Sequence, residues 1–387
     1  MSLVLNTNYS SLVAQDSLST SGGELSTALQ QLSSGLRINT AADDAAGYAI
    51  VQGMTSQING LDQASQNAND GVSLAQTAQG ALTEITNDLQ TMRDLAVESL
   101  NATNSSQDRA DLNQQFSQLQ ADINNVAATA SFNGVNLLDG SFQGATFQVG
   151  ANVGQTISVS SVASAKTSAL GTLYTAAGGT GAAMTAGQTG SLTIGGVATS
   201  SFTVTGTPAT DAKTIAAAIN AISSQDGGVV ATVNATNGIN LSSTTSQTVA
   251  VAAGAGNGAS VTLANMGVAA SYVITTAGTT TNLNVANVNT VDGSNLALTQ
   301  IDSALQQVAA TGAQLGAYQN RFQAAITGLT TDSTNLQSAR SGIQDTDYAA
   351  ATSSLSKAQI LQQASTAMVA QANTIPQNIL TLLQKLP

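Results

Sequence analysis

Cysteine and histidine are both absent from the 387 residues. That removes disulfides, thiolate chemistry, a Ser-His-Asp nucleophile and the usual zinc ligand sets in one step. Charged residues make up 8% of the chain and aromatics 3%, both low for a globular enzyme. Nine Lys and Arg stand singly against 21 Asp and Glu, for a net charge of −12. No phosphate-binding patch results, so nucleic acid is not an expected partner. Three prolines against 35 glycines point to turns and loops, not to a proline-rich or collagen-like chain. No stretch approaches the ~20 apolar residues of a membrane span. The first thirty residues lack a basic region followed by an apolar core, so no cleaved secretory signal is expected. A cytoplasmic protein fits this, and so does one exported by a route that reads no such signal. No glycine-rich loop follows a strand and opens a helix with a lysine, and no cofactor is expected. The paired carboxylates Asp43-Asp44 and Asp345/Asp347 fall at helix breaks, where such residues act as caps. An enzyme is not the expected reading.

What the chain does have is helical periodicity. Between Asp44 and Leu100, apolar or small residues recur as Ile58, Leu61, Ser65, Ala68, Val72, Ala75, Ala78, Leu82, Ile85, Leu89, Met92 and Ala96. The steps alternate three and four with one slip at Ala75–Ala78, the seam of a long packed helix. At 1.5 Å per residue it would run roughly 80 Å. Gly47, Gly53, Gly60, Gly71 and Gly80 each disfavour it by about 1 kcal/mol, so it requires partners along its length. From Ser294 the same spacing returns through Leu298, Ile301, Leu305, Val308, Gly312, Leu315, Gln319, Phe322, Ile326, Leu329, Ser333, Leu336, Arg340 and Ile343, which supplies one. Ser105 with Asp108 resembles a capping box opening a third helix through Leu112, Phe116, Leu119, Ile123 and Val126. Asn133-Gly134 and Asp139-Gly140 are hairpin turn signals, leading to short strands at Thr146–Val149 and Thr156–Val159.

Composition shifts between Lys166 and Thr290, where Ala, Thr, Gly, Ser and Val dominate. Strands are expected at Ser191–Ile194, Phe202–Thr205, Gly228–Val233 and Gly238–Ser242, with a short helix over Asp211–Ile222. That order argues for an inserted, folded β-rich domain over a low-complexity spacer. The two ends of the chain read as amphipathic, nearly uncharged helices. One carries Leu12, Leu18, Leu25, Leu29, Leu32 and Leu36; the other carries Leu355, Ala358, Leu361, Ser365, Met368, Ala372 and Ile375 before Pro376 bends or interrupts it. Their leftover apolar faces imply self-assembly. The expected fold is mainly α: a long antiparallel helical bundle or coiled coil formed by both termini, with a small hairpin region and an inserted β-rich outer domain. The expected divisions are 1–43 plus 345–387, 44–165 plus 291–344, and 166–290.

Six stretches together resemble bacterial flagellin: Leu32–Gly47, Gly60–Leu82, Phe132–Gly140, Leu315–Phe322, Ser338–Ala349 and Lys357–Leu383. The resemblance spans roughly residues 1–160 and 291–387, and Gly190–Val251 resembles an insertion motif of flagellins and hook proteins. It implies a non-catalytic subunit that polymerises into the extracellular flagellar filament used for swimming. The termini would pair as a coiled coil lining the filament channel, through Leu18, Leu25, Leu29, Leu32, Leu36, Leu361, Met368 and Ile375. Arg37, Asp43, Asp44 and Arg340 are the candidate polar interface residues. Implied partners are further copies of the chain, the type III flagellar export apparatus, an export chaperone, and cap and junction proteins. Gln30–Val51 resembles the segment that plant flagellin receptors bind, with Ala42 in place of a basic residue and Tyr48 in place of Leu. Arg93–Val97 resembles the core seen by the animal flagellin-sensing Toll-like receptor. In that segment Thr91, Arg93, Leu95 and Gln115 are the residues of interest, with Thr91 and Gln115 replacing Arg and Glu of strongly stimulatory flagellins. A hook–filament junction protein and a secreted adhesin acting through the insertion are the alternatives.

Overall fold

The computed structural model describes residues 8–226, 228–254, 257–274 and 279–384. The chain divides into two compact units: residues 1–67, 148–155 and 325–387 form the first, and 68–147 and 156–324 the second. Helices α2 (Ala45–Ser99) and α5 (Val291–Gln344) contribute to both. Among the described residues no helix is long and apolar enough to cross a membrane.

The first unit contains α1 (Tyr9–Ser34) and the last helix, α6 (Tyr348–Gln384), which come closer backbone to backbone than any other helix pair. Gly35, at φ 71°, ends α1 in the left-handed conformation that glycine adopts without a Cβ penalty. Asp44 opens α2 by accepting from Gly47 N at 2.9 Å, and Asp347 opens α6 by accepting from Ala349 N at 2.9 Å. Both carboxylates therefore serve helix N-termini, where the backbone dipole favours negative charge. Helix α6 continues through Pro376, where a bend or an interruption was expected; proline removes one ladder bond, and the remaining turns hold. In the lower part of α2 and the end of α5, Leu61, Ala64 and Leu329 pack together with Leu336, and Ser333 donates to Asp62 at 3.2 Å. The expected stripe of α2 passed through Ser65. The buried neighbour is Ala64.

In the second unit, α2, α3 (Ser106–Thr129) and α5 share a core that includes Leu82, Ile85, Leu89, Met92, Phe116, Ile123, Ile301, Val308, Leu315 and Phe322. The capping box at the start of α3 is present, with Ser105 and Asp108 each accepting from the other's backbone N–H. Here too the buried seam favours the smaller neighbour. Gly71 takes the place expected of Val72, and Ala297 and Ala304 those of Leu298 and Leu305; at Thr311, buried in place of Gly312, the larger residue faces in. With Ala64 and Gly71 in register, the slip expected at Ala75–Ala78 falls instead at Leu61–Ala64, and from Ala64 onward the steps alternate four and three. Gly71 is required because the Phe322 ring lies on it; a Cβ there would sit 2.5 Å from Phe322 Cζ. The ring is held in turn by an edge-to-face contact with Phe147, centroids 5.2 Å apart.

Strands β1 (Ser131–Phe132) and β2 (Val135–Asn136) pair across Asn133-Gly134, both at positive φ. Asp139-Gly140 does not close a hairpin. Asp139 instead accepts from Ser141 N, Ser141 Oγ and Asn136 Nδ2, which hold its carboxyl down to about 2. Strands β3 (Ala145–Gln148) and β4 (Thr156–Val159) pair where strands were expected.

The inserted stretch folds as β5 (Leu173–Ala176), β6 (Thr189–Gly190), β7 (Leu192–Ile194), β8 (Val197–Ala198), β9 (Phe202–Thr203), α4 (Pro208–Asn220), β10 (Val230–Val233), β11 (Ile239–Ser243), β12 (Gln247–Ala253), β13 (Ser271–Ile274) and β14 (Thr279–Thr281). Two four-stranded antiparallel sheets result, ordered β10-β11-β5-β14 and β13-β12-β7-β8. Ile215 and Ile219 of α4 bury against Leu192, Ile194, Leu241, Val251 and Tyr272. Buried Asp211 caps the turn before α4, accepting from Thr205 N, Thr205 Oγ1 and Gly206 N. The insertion thus has a core of its own.

Candidate interaction surface on the terminal helices

The α1–α6 pair is antiparallel. Asn8 Nδ2 donates to Ala372 O at one end, while Thr346 N donates to Gly35 O at the other. The side of α1 withdrawn from solvent runs Ser11, Ala14, Leu18, Ser21, Leu25, Ala28 and Leu32, in steps of three and four. On α6 the corresponding row is Ala351, Leu355, Ala358, Gln362, Ser365, Val369 and Ala372. Most of these side chains are Ser or Ala, which lets two helix backbones approach closely. Ser11 Oγ donates to Asn373 Oδ1 at 2.8 Å within the pair. Leu18, Leu25 and Leu32 lie half-buried along this seam.

Other expected seam residues lie off it. Leu29, Leu361 and Met368 are exposed in the subunit, and the seam of α6 passes through Gln362 and Val369 in place of Leu361 and Met368. The seam is set by Ala351, Ala358, Ser365 and Ala372, small side chains at the close contact, and Gln362 and Val369 fall in step with them while Leu361 and Met368 point outside. Ile375 falls outside the residues whose side chains are described. Leu36 is half-buried beyond the end of α1 and pairs with Asp345 in a lone β-bridge.

The large apolar side chains left outside include Tyr9 (77% exposed), Leu12, Val13, Leu29, Ile360 (65%), Leu361 and Met368 (62%). Tyr9, Val13, Ala14, Ala364 and Met368 line a groove of about 520 Å³ between the two helices. Soluble monomers rarely leave such a run of apolar side chains in water. Sequence reasoning placed Leu12, Leu29, Leu361 and Met368 on the terminal helices, with Ala358, Ser365 and Ala372 in the stripe of α6, but missed the row of Ser and Ala on α1. Its signal was present in the three-and-four spacing of Ser11, Ala14, Leu18, Ser21, Leu25 and Ala28.

The polar candidates gather at the connectors below this pair. Arg37 donates from Nη2 to Ile343 O and from its backbone N to Gln344 O. Asp43 accepts from Thr40 N at 2.8 Å and Asn39 N at 3.0 Å; these backbone bonds, Thr40 first, lower its pKa. Arg340 Nη1 reaches Thr55 Oγ1 at 3.5 Å. All four candidates thus have contacts inside the subunit, and all lie in the first unit.

The Arg93 segment lies in the second unit. Arg93 Nε is paired with Asp302 at 2.9 Å on the surface, and this carboxylate raises the guanidinium pKa. Leu95 is buried, whereas Thr91 and Gln115 are exposed. Surface pairs of this kind contribute little to stability, about 0–1 kcal/mol.

Comparison with known proteins matches residues 5–143 to the bacterial flagellin N-terminal helical region and residues 298–383 to the bacterial flagellin C-terminal helical region. Flagellin B of Vibrio cholerae serotype O1 is 39% identical over 391 residues, covering 99% of this chain and 100% of its own length. B-type flagellin of Pseudomonas aeruginosa is 34% identical over 490 residues, with coverage of 99% and 100%. Flagellin D of Vibrio anguillarum is 39% identical over 387 residues, again covering 99% and 100%.

Proposed function

The chain belongs to the bacterial flagellin family, and on that footing we propose that its terminal helix pair is the element through which copies polymerise. The protein is a structural subunit of the extracellular flagellar filament, a homopolymer that serves motility. The observation that carries the proposal is the outer face of α1 and α6, where Leu12, Val13, Leu29, Ile360, Leu361 and Met368 stay exposed although the two helices already pack together. A filament needs contacts that repeat along rows of copies without closing into a ring, and a long apolar face with few charges suits them. Leu18, Leu25 and Leu32 hold the two helices to one another, and the exposed set meets the next copy.

The role is structural and not catalytic: of the paired carboxylates, Asp44 and Asp347 cap helices, Asp43 ties the turn at Thr40, and Asp345 accepts from Ser341. In the filament, residues 1–43 with 345–387 make the inner layer, 44–165 with 291–344 the surrounding tube, and 166–290 the outward-facing domain. The further partners in this reading are the type III export apparatus, an export chaperone, and cap and junction proteins. Support for them is family membership along the whole chain.

Electron microscopy of the purified chain, at full length and lacking residues 1–43 and 345–387, tests the proposal. Long filaments from the full-length chain alone are the expected result. A full-length chain that stays monomeric, with trimming making no difference, would overturn it and favour a junction or adhesive role.

A further inference from the structure

The sequence contains four Asn-Gly pairs: Asn59-Gly60, Asn133-Gly134, Asn237-Gly238 and Asn257-Gly258. This dipeptide allows the backbone nitrogen of the glycine to attack the asparagine side chain, because no Cβ shields it. As sequence the four are equivalent. The fold treats them differently.

Gly60 N–H is committed to the ladder of α2, and a Cβ added at Gly60 would meet Ala151 Cβ at 3.0 Å. Gly258 N donates to Thr189 O, while the Asn257 amide is clamped by Ser191, accepting from its N and donating to its O. Asn237 has φ 58°, close to the 49° of Asn133, so these two share a backbone conformation. Yet Gly238 is buried and its N donates to Asn234 Oδ1 at 2.7 Å. At the tip of β1–β2, Asn133 and Gly134 are both exposed, and an added Cβ at Gly134 would meet nothing within 4 Å. The hairpin's pairs are Phe132 with Val135 and Ser131 with Asn136, which leaves Gly134 N–H outside the ladder. Its strands are two residues each, so the turn opens at little cost.

We propose that Asn133 is a site of spontaneous covalent modification, conversion to aspartate or isoaspartate, and that the other three pairs are protected by the fold. Gly134 N loses its proton and bonds to Asn133 Cγ. The bond from Cγ to the side-chain nitrogen breaks, and ammonia leaves carrying that proton. One water then opens the resulting succinimide at either carbonyl. No oxidant or enzyme is needed. The product adds a negative charge, and as isoaspartate it also adds a backbone carbon to a two-residue turn, so the β1–β2 register cannot be kept.

The experiment is peptide mapping by mass spectrometry of the folded full-length chain aged in mildly alkaline buffer. Isoaspartyl methyltransferase labelling identifies the isoaspartate. Conversion is expected first at Asn133, with Asn237 at least about tenfold slower, the factor that one retained hydrogen bond supplies. Asn234→Ala frees Gly238 N–H, and Asn237 should then approach the Asn133 rate. The proposal is overturned if Asn237 or Asn257 keeps pace with Asn133 in the native chain. It is equally overturned if Asn133 stays intact while the urea-unfolded chain converts at all four pairs, or if Asn234→Ala leaves a folded protein with Asn237 unchanged.

Discussion

Adding one methyl group at Gly71 should destabilise the second unit, although the same change elsewhere in α2 should stabilise it. Replacing glycine by alanine inside a helix favours folding by about 1 kcal/mol. At Gly80 an added Cβ meets nothing within 4 Å, so Gly80→Ala should deliver that gain. At Gly71 the new Cβ would lie 2.5, 2.7 and 2.8 Å from three atoms of the Phe322 ring. The ring cannot simply move aside, since it is fully buried and set edge-on against Phe147. Overpacking of this kind costs about 1–3 kcal/mol. A rigid aromatic neighbour puts the site in the upper part of that range, so Gly71→Ala should lose about 1–2 kcal/mol net. The two substitutions should therefore differ by about 2–3 kcal/mol, with opposite signs. Circular dichroism of the depolymerised subunit, followed through thermal unfolding, reads this as roughly 2–4 °C per kcal/mol for a unit of this size. Combining Gly71→Ala with Phe322→Leu should recover part of the loss, and the double-mutant cycle should show coupling. If Gly71→Ala raises the melting temperature as much as Gly80→Ala does, the close approach of Phe322 is not what demands the glycine.

At the terminal helices, Leu361→Ser and Met368→Ser should leave subunit stability within about 0.5 kcal/mol, because both side chains are already in water, yet block filament growth. Ala28→Leu should instead force the α1–α6 seam apart at a cost of about 1–3 kcal/mol. Sedimentation and circular dichroism distinguish the two effects, and normal filaments from Met368→Ser would count against the outer face. Asp139 has a folded-state pKa of about 2, below its ordinary 3.8. Its contribution to the turn is therefore full above roughly pH 4 and lost as pH falls towards 2. Carboxyl NMR should place its midpoint near 2, and a midpoint at the ordinary 3.8 would refute the turn geometry. At the Arg93 segment, stimulation of the animal flagellin receptor should be weak, since Thr91 and Gln115 offer no charged partner. Thr91→Arg with Gln115→Glu should raise reporter output, and potency of the unaltered chain equal to a strong agonist would refute this.

Much of the helical architecture was legible because spacing of three and four is a long-range signal that survives local errors. The extent of α2 and the existence of α3 followed from it, and the Ser105–Asp108 pair marked the start of α3. What was not legible was which of two adjacent residues faces inward. Weighting by hydrophobicity selects Val72, Leu298, Leu361 and Met368, whereas close helix approach selects Gly71, Ala297, Gln362 and Val369. Side-chain volume at the contact decided Gly71 and Ala297, and the register of the small residues Ala358, Ser365 and Ala372 carried Gln362 and Val369 inward; both depend on the partner helix. In the insertion, helix α4 and four strands were readable from alternation. Strands β5, β12 and β14 were not, because their Thr- and Ala-rich sequences carry little contrast between faces, and the four residues of β13 (Ser271–Ile274) are too few to show an alternation. The outer apolar face was foreseeable as a surplus of large side chains, but its separation from the seam required the structure.

The backbone clasp at the foot of α1 and α6 bears on the order in which the chain folds. Arg37 and Ile38 donate to Gln344 O and Thr346 donates to Gly35 O, across some three hundred intervening residues. Closing a loop of that length costs about 5 kcal/mol of chain entropy, which the long helices and the insertion must offset before the clasp can close. Contacts so distant in sequence form late and slowly. Helix α1 must therefore wait, in every newly folding copy, for the last forty residues to arrive. The two terminal helices therefore order together and not one after the other.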